Sequence, residues 1–158
     1  MQVHGIDRFG AENQMTRKPS QETTSAWARL LRVQQGLLAA VEQDLKEAGF
    51  PPLPWYDALL ELSRAEHGML RPVELEKHML LPQYSTSRLI DRLAEAGLAE
   101  RKTCPVDGRG QYVAITKAGR SLQKKMWDTY STAIERHVGA KLSNKDAAQL
   151  CDLLGRLA

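Results

Sequence analysis

At 158 residues the chain suits one domain, or a small domain whose flanking helices need a partner. Apolar residues make up 42% of it, too many for a disordered chain, yet Lys, Arg, Asp or Glu interrupts every run that could span a bilayer. The net charge of +3 is small but unevenly placed: Arg71 to Lys125 carries 11 Lys and Arg against 6 Asp and Glu, and the remainder 11 against 13. A basic middle between near-neutral ends points to one surface that meets phosphates.

The two cysteines, Cys104 and Cys151, are too few and too isolated for a disulfide framework or a zinc site. Met1 to Ser20 holds no apolar signal core, so a cytoplasmic, reducing address is expected, with no membrane partner.

Residues 1–23 are polar and aperiodic and read as a flexible N-terminal arm. Thr24 or Ser25 offers an N-cap for a long helix to about Ala48, with Trp27, Leu30, Leu31, Leu37, Leu38, Val41 and Leu45 as its apolar stripe. Gly49 stops it, and Phe50-Pro51-Pro52-Leu53-Pro54 turns the chain. A second helix spans Pro54 to about Arg64, with Trp55, Leu59 and Leu62 inward. Glu66-His67-Gly68 breaks it, Met69-Leu70 is extended, and Arg71-Pro72 opens a short third helix through about His78.

After the connector Leu80-Leu81-Pro82, a fourth helix runs from Gln83 to Ala96 and closes at Gly97. The period then changes to that of two strands, Leu98 to Thr103 and Gln111 to Thr116, around the turn-rich loop Cys104 to Gly110. Thr116 caps a fifth helix to about Val138. Ser143-Asn144-Lys145-Asp146 resembles a capping box opening a last helix to Leu157.

Helix, short helix, helix and a hairpin with a basic tip is the order of a winged helix-turn-helix, in a mainly α fold with a two-stranded β-wing. On the fourth helix Thr86, Leu89, Ile90 and Leu93 cluster on one side, for the core. Tyr84 and Arg88 project opposite, with Gln83, Ser85 and Ser87 at the borders. Hydroxyls and helix N-terminal amides suit phosphate oxygens, whereas Gln and Arg can hydrogen-bond base edges. At the hairpin tip Arg109 can enter a narrow minor groove, and Asp107 can orient it or brace the turn. Arg101 and Lys102 are expected to flank the DNA backbone or stay solvated.

Ser85 to Leu93, followed by Ala96-Gly97-Leu98-Ala99-Glu100-Arg101, resembles the recognition helix of the MarR family and its exit. Asp107-Gly108-Arg109 is similar to that family's Asp-any-Arg wing signature, and Ile115-Thr116 with Gly119 to the start of its next helix. The ordered resemblance reaches from about Ser25 to Leu157. Pro82, just before the recognition helix, departs from the usual pattern. The resemblance implies a dimeric, sequence-specific regulator of double-stranded DNA, a ligand-responsive repressor at a pseudo-palindromic operator. Residues 24–158 then form one domain, with a reading head at about 54–116 and dimerisation helices at about 24–48 and 117–158. Ala147, Leu150, Cys151, Leu153, Leu154 and Leu157 agree with this as a wide apolar stripe, although packing within one chain would use it equally well.

The family commonly has a pocket for small aromatic or anionic molecules, which Trp27, Trp55, Tyr56, Met126 and Trp127 could line; aromatics at helical spacing also serve as plain core. No catalytic centre is expected. His4, His67, His78 and His137 sit in unrelated contexts, and no phosphate loop or nucleophile elbow occurs, so neither metal nor cofactor is anticipated. Two other readings stay open: a redox-responsive regulator using Cys104 at the wing base, and a winged helix that binds protein, with Cys151 a small core residue in either case.

Overall fold

The computed structural model describes residues 18–82, 85–103 and 110–158. They divide into two compact units, Met1–Gln35 and Gly36–Ala158, and the long helix α1, Gln21–Glu47, crosses the division. That helix starts earlier than Thr24. Ser20 is the capping residue, its Oγ accepting from the Thr23 amide at 3.2 Å, and Thr24 lies inside with its hydroxyl donating to the Ser20 carbonyl at 3.0 Å. Several hydroxyls in a row compete for one cap, and the first of them holds it. In the first unit Trp27, Leu31 and Val33 are exposed.

In the second unit α1 ends at Gly49, whose φ of +77° suits a residue without Cβ. Helix α2, Leu53–Arg64, begins with proline in its first turn, where a missing N–H costs nothing. A short 3-10 turn, Glu66–Gly68, then puts His67 at φ +58° and Gly68 at φ +71°. Strand β1 is Met69–Leu70 and α3 is Pro72–His78. Helix α4 is Thr86–Glu95, β2 Ala99–Thr103, β3 Gln111–Ile115, α5 Lys117–His137 and α6 Asn144–Gly155, with a 3-10 turn, Gly139–Lys141, between the last two.

The wing is one strand richer than the expected hairpin. Strand β3 pairs antiparallel with β2, Ala99 opposite Ile115 through Thr103 opposite Gln111, and its other edge pairs with β1, Met69 opposite Ala114. The order β1-β3-β2 satisfies backbone groups at the base of β3 that a hairpin would leave to solvent.

One core joins α2, α3, α4 and the sheet through Leu59, Leu62, Leu75, Leu89, Ile90, Leu93 and Val113. Each such side chain, fully buried, contributes about 1.5–3 kcal/mol. A second core gathers Val41, Leu45, Leu53, Tyr56, Met126 and Ala133 from the end of α1, α2 and α5. The start of α5 is held by close approach: a Cβ on Gly119 would collide with the Leu98 carbonyl oxygen. Thr116 accepts from the Gly119 amide at 3.0 Å and donates to the Gly97 carbonyl at 2.7 Å, joining the exit of α4 to the entry of α5. Among the described residues, no helix is long and apolar enough to cross a membrane.

Candidate nucleic-acid interface and cavity

Helix α4 separates its faces as its sequence demands. Thr86, Leu89, Ile90 and Leu93 are buried, while Ser87, Arg88, Asp91, Arg92 and Glu95 are exposed. Its beginning differs from the expected Gln83. Ser85 is the N-cap, extended at φ −152° and ψ 103°, and its Oγ accepts from the Arg88 amide at 3.3 Å. The Ser85 hydroxyl serves a first-turn amide that has no earlier carbonyl to pair with, and so fixes the start of the helix there. One lone pair of Ser85 is thus committed within the chain, leaving its O–H to donate elsewhere. Gln83, Tyr84, Cys104, Asp107 and Arg109 lie outside the described residues.

Arg101 is exposed and also tied down. From β2 its Nη2 meets Asp91 Oδ1 of α4 at 2.7 Å, and its Nη1 donates to Gln111 Oε1 of β3 at 3.4 Å. One guanidinium therefore spans the outward-facing helix and both strands of the hairpin, a use of its fork geometry that lysine could not match. The neighbouring Lys102 pairs with Glu100 at 2.9 Å. Across the sheet Arg71 lies over the Tyr112 ring, 5.4 Å from its centroid, linking the start of α3 to β3. The outward face of α4 and the sheet beside it are thus held as one body by small polar contacts above an apolar core.

On another side of the second unit, a cavity of about 570 Å³ opens between α2, the α3–α4 connector and α5. Tyr56, Trp127 and Tyr130 line it. Tyr56 stacks on Trp127 with centroids 6.2 Å apart, and Tyr130 meets both edge-on, at 5.1 and 5.9 Å. The other expected lining residues lie elsewhere. Trp55 packs against the first core, because adjacent helix positions point roughly 100° apart and Tyr56 takes the cavity side. Met126 is fully buried in the second core, and Trp27 lies in the first unit, 62% exposed.

Sequence reasoning missed Asp57, which is buried on the cavity wall and accepts from the Leu81 amide through Oδ2 at 2.8 Å. Desolvation raises the Tyr56 hydroxyl above its ordinary pKa, opposed by a hydrogen bond from Gln123. Desolvation also raises Tyr130, with smaller contributions from Tyr56 and Asp57. Both phenols therefore remain neutral donors at physiological pH. A spacing of three from Trp127 could have flagged Tyr130; nothing local flagged Asp57.

Helix α6 differs from every other helix of the second unit in having no buried residue. Its Ser143 and Asp146 form the expected reciprocal cap, at 3.2 and 3.3 Å. Leu150, Leu153, Leu154 and Leu157 are all exposed, and so is the free thiol of Cys151, which is not the core residue its surroundings suggested. The stripe has the right period, but among the described residues nothing covers it.

Residues 48–110 match the MarR family model. Among solved structures, AbsC, a MarR family transcriptional regulator from Streptomyces coelicolor, is 28% identical at a TM-score of 0.76, over 90% of this chain and 95% of that one. A second MarR family regulator from Streptomyces coelicolor, solved in complex with DNA, superposes at a TM-score of 0.82 with 22% identity, over 92% of this chain and 91% of that one. BpsR of Bordetella bronchiseptica, described by the regulation of its DNA binding by 6-hydroxynicotinic acid, gives a TM-score of 0.75 at 21% identity, over 89% and 97%. No curated protein matches the sequence.

Proposed function

We propose that the chain, whose residues 48–110 match the MarR family model, is a dimeric, sequence-specific double-stranded DNA-binding transcriptional regulator, a repressor released by a small aromatic or anionic ligand. The observation that carries the reading is α4: a helix capped at Ser85, buried along Thr86, Leu89, Ile90 and Leu93, presenting Ser87 and Arg88 outward beside a braced hairpin. A helix so anchored can enter a major groove without loosening its own domain. Gln83, Tyr84, Ser85, Ser87 and Arg88 would meet bases and phosphates, with Arg109 in the adjacent minor groove and Asp107 orienting it.

The uncovered leucines of α6 favour a second copy of the chain as partner, because so wide an apolar face is costly in water. Two reading heads related by a two-fold axis would read a pseudo-palindrome with half-sites about 10 bp apart. Residues 24–158 would then act as a single regulator domain, 1–23 as an arm.

Gel-shift titration against random duplex DNA at several salt concentrations tests this, followed by selection of bound sequences. Binding that weakens steeply with salt, and a selected two-fold motif, are expected. Arg88→Ala should make the salt slope shallower by about one if Arg88 meets a phosphate, or relax preference at one position per half-site, by about 1–3 kcal/mol, if it meets a base. No DNA binding at low salt would overturn the proposal.

A further inference from the structure

We propose that the cavity between α2, the α3–α4 connector and α5 takes an organic ammonium ion on an aromatic frame, with Asp57 as its counter-charge. This rests on the reading of the protein as a ligand-responsive regulator, keeps the aromatic part of that reading, and replaces an anionic ligand with a cationic one.

Four ionisable side chains besides the tyrosines line the cavity: Asp57, Glu61, Arg64 and His78. Arg64 pairs with Glu61 at 3.3 Å, so these two largely cancel, and Arg64 itself is mostly in solvent. Asp57 is different. It is only 5% exposed, and the one hydrogen bond among the described residues that involves its carboxylate comes from the Leu81 amide, a neutral donor. A buried carboxylate held by one amide still lacks a cation, and burial makes that lack costly.

The aromatic wall completes the recognition. Tyr56, Trp127 and Tyr130 lie within 5.1–6.2 Å of one another, centroid to centroid, and all three line the cavity. The negative faces of such rings attract a cation, and a desolvated site strengthens the attraction. A carboxylate-bearing ligand would meet these faces and Asp57 as repulsion. An ammonium group would satisfy both.

Occupancy also has a short path to α4. The Leu81 amide that Asp57 accepts belongs to the connector leading into α4, and Leu80 and Leu81 line the same cavity. A cation that draws the carboxylate toward itself competes with that amide and loosens the approach to α4. The ligand therefore acts by preferring one placement of the connector over another.

Calorimetric titration of the full chain with phenethylamine, phenylacetamide and phenylacetate, which differ chiefly in charge, tests the class. Phenethylamine should bind about tenfold or more tighter than phenylacetate, the weight of a charge-assisted hydrogen bond. Asp57→Asn keeps an acceptor for Leu81 and removes the charge, so it should abolish that preference while leaving phenylacetamide unchanged. Trp127→Leu, on the half-exposed wall, should weaken phenethylamine without touching the buried carboxylate, and so tests the site even if Asp57→Asn fails to fold. Phenylacetate binding as tightly as phenethylamine would overturn the proposal, as would a preference that survives Asp57→Asn, or failure of all three probes to bind. A parallel gel shift separates the two readings: phenethylamine that binds without changing DNA affinity upholds the cationic site and defeats its role as a regulator's switch.

Discussion

The stretch from α2 to β3 and the terminal helix α6 both draw on leucine, and treat it in opposite ways. Leu59, Leu62, Leu75 and Leu93 are fully buried among one another and among Ile90 and Val113. Leu150, Leu153, Leu154 and Leu157 are 40–74% exposed. The first group converges because six short elements pack round it between Leu53 and Ile115. The second sits on a single helix, with Leu157 just past its end, and a helix cannot bury its own stripe. The part proposed to read DNA buries its leucines within one chain, whereas those of the terminal helix stay exposed, which is where the proposed second copy would pack.

Cavity mutants give the most direct way to break this comparison. Leu59→Ala should cost about 2–5 kcal/mol of unfolding free energy, through lost burial and the void left behind. Leu154→Ala should leave the reading-head core intact and instead make the melting temperature, followed against protein concentration, depend on it more steeply. Equal, concentration-independent losses in thermal melts of both variants would show that α6 is an ordinary core helix of one chain.

A smaller effect sharpens the picture of how the two regions join. Gly119→Ala places a methyl group against the Leu98 carbonyl, between the exit of α4 and the entry of α5. Overpacking of this kind costs about 1–3 kcal/mol, and urea unfolding should register it. Wild-type stability in that variant would mean that the contact relaxes freely.

The smallest effect concerns the brace between α4 and the hairpin. Arg101→Ala and Asp91→Ala should each weaken DNA binding by about 0.2–1 kcal/mol, the range of exposed ion pairs, with no change of salt slope and no additivity between them. The exchange Asp91→Arg with Arg101→Asp should recover part of the loss. A salt slope shallower by about one for Arg101→Ala alone would show instead that this side chain meets a phosphate.

Element order, the buried face of α4, and the caps at Thr116 and Ser143 were all legible in the amino-acid order. Each depends on residues within a turn or two of one another, where helical period and capping chemistry act locally. Degenerate local signals were less reliable: several hydroxyl residues near the start of α1 offered a cap, and Ser85 rather than Gln83 opens α4.

Tertiary structure alone decided which aromatic residues share a cavity. Trp55 and Tyr56 are neighbours in sequence yet serve different cores, while Met126 is buried in the second core and Trp127 lies half-exposed on the cavity wall. It also decided that Asp57 is buried against the amide of Leu81, that Arg101 reaches Asp91, and that β1 adds a third strand to the hairpin. These contacts join residues on different elements, so their existence depends on the angles at which helices and strands pack. Side-chain periodicity along one element assigns a face, but it leaves open what that face will meet.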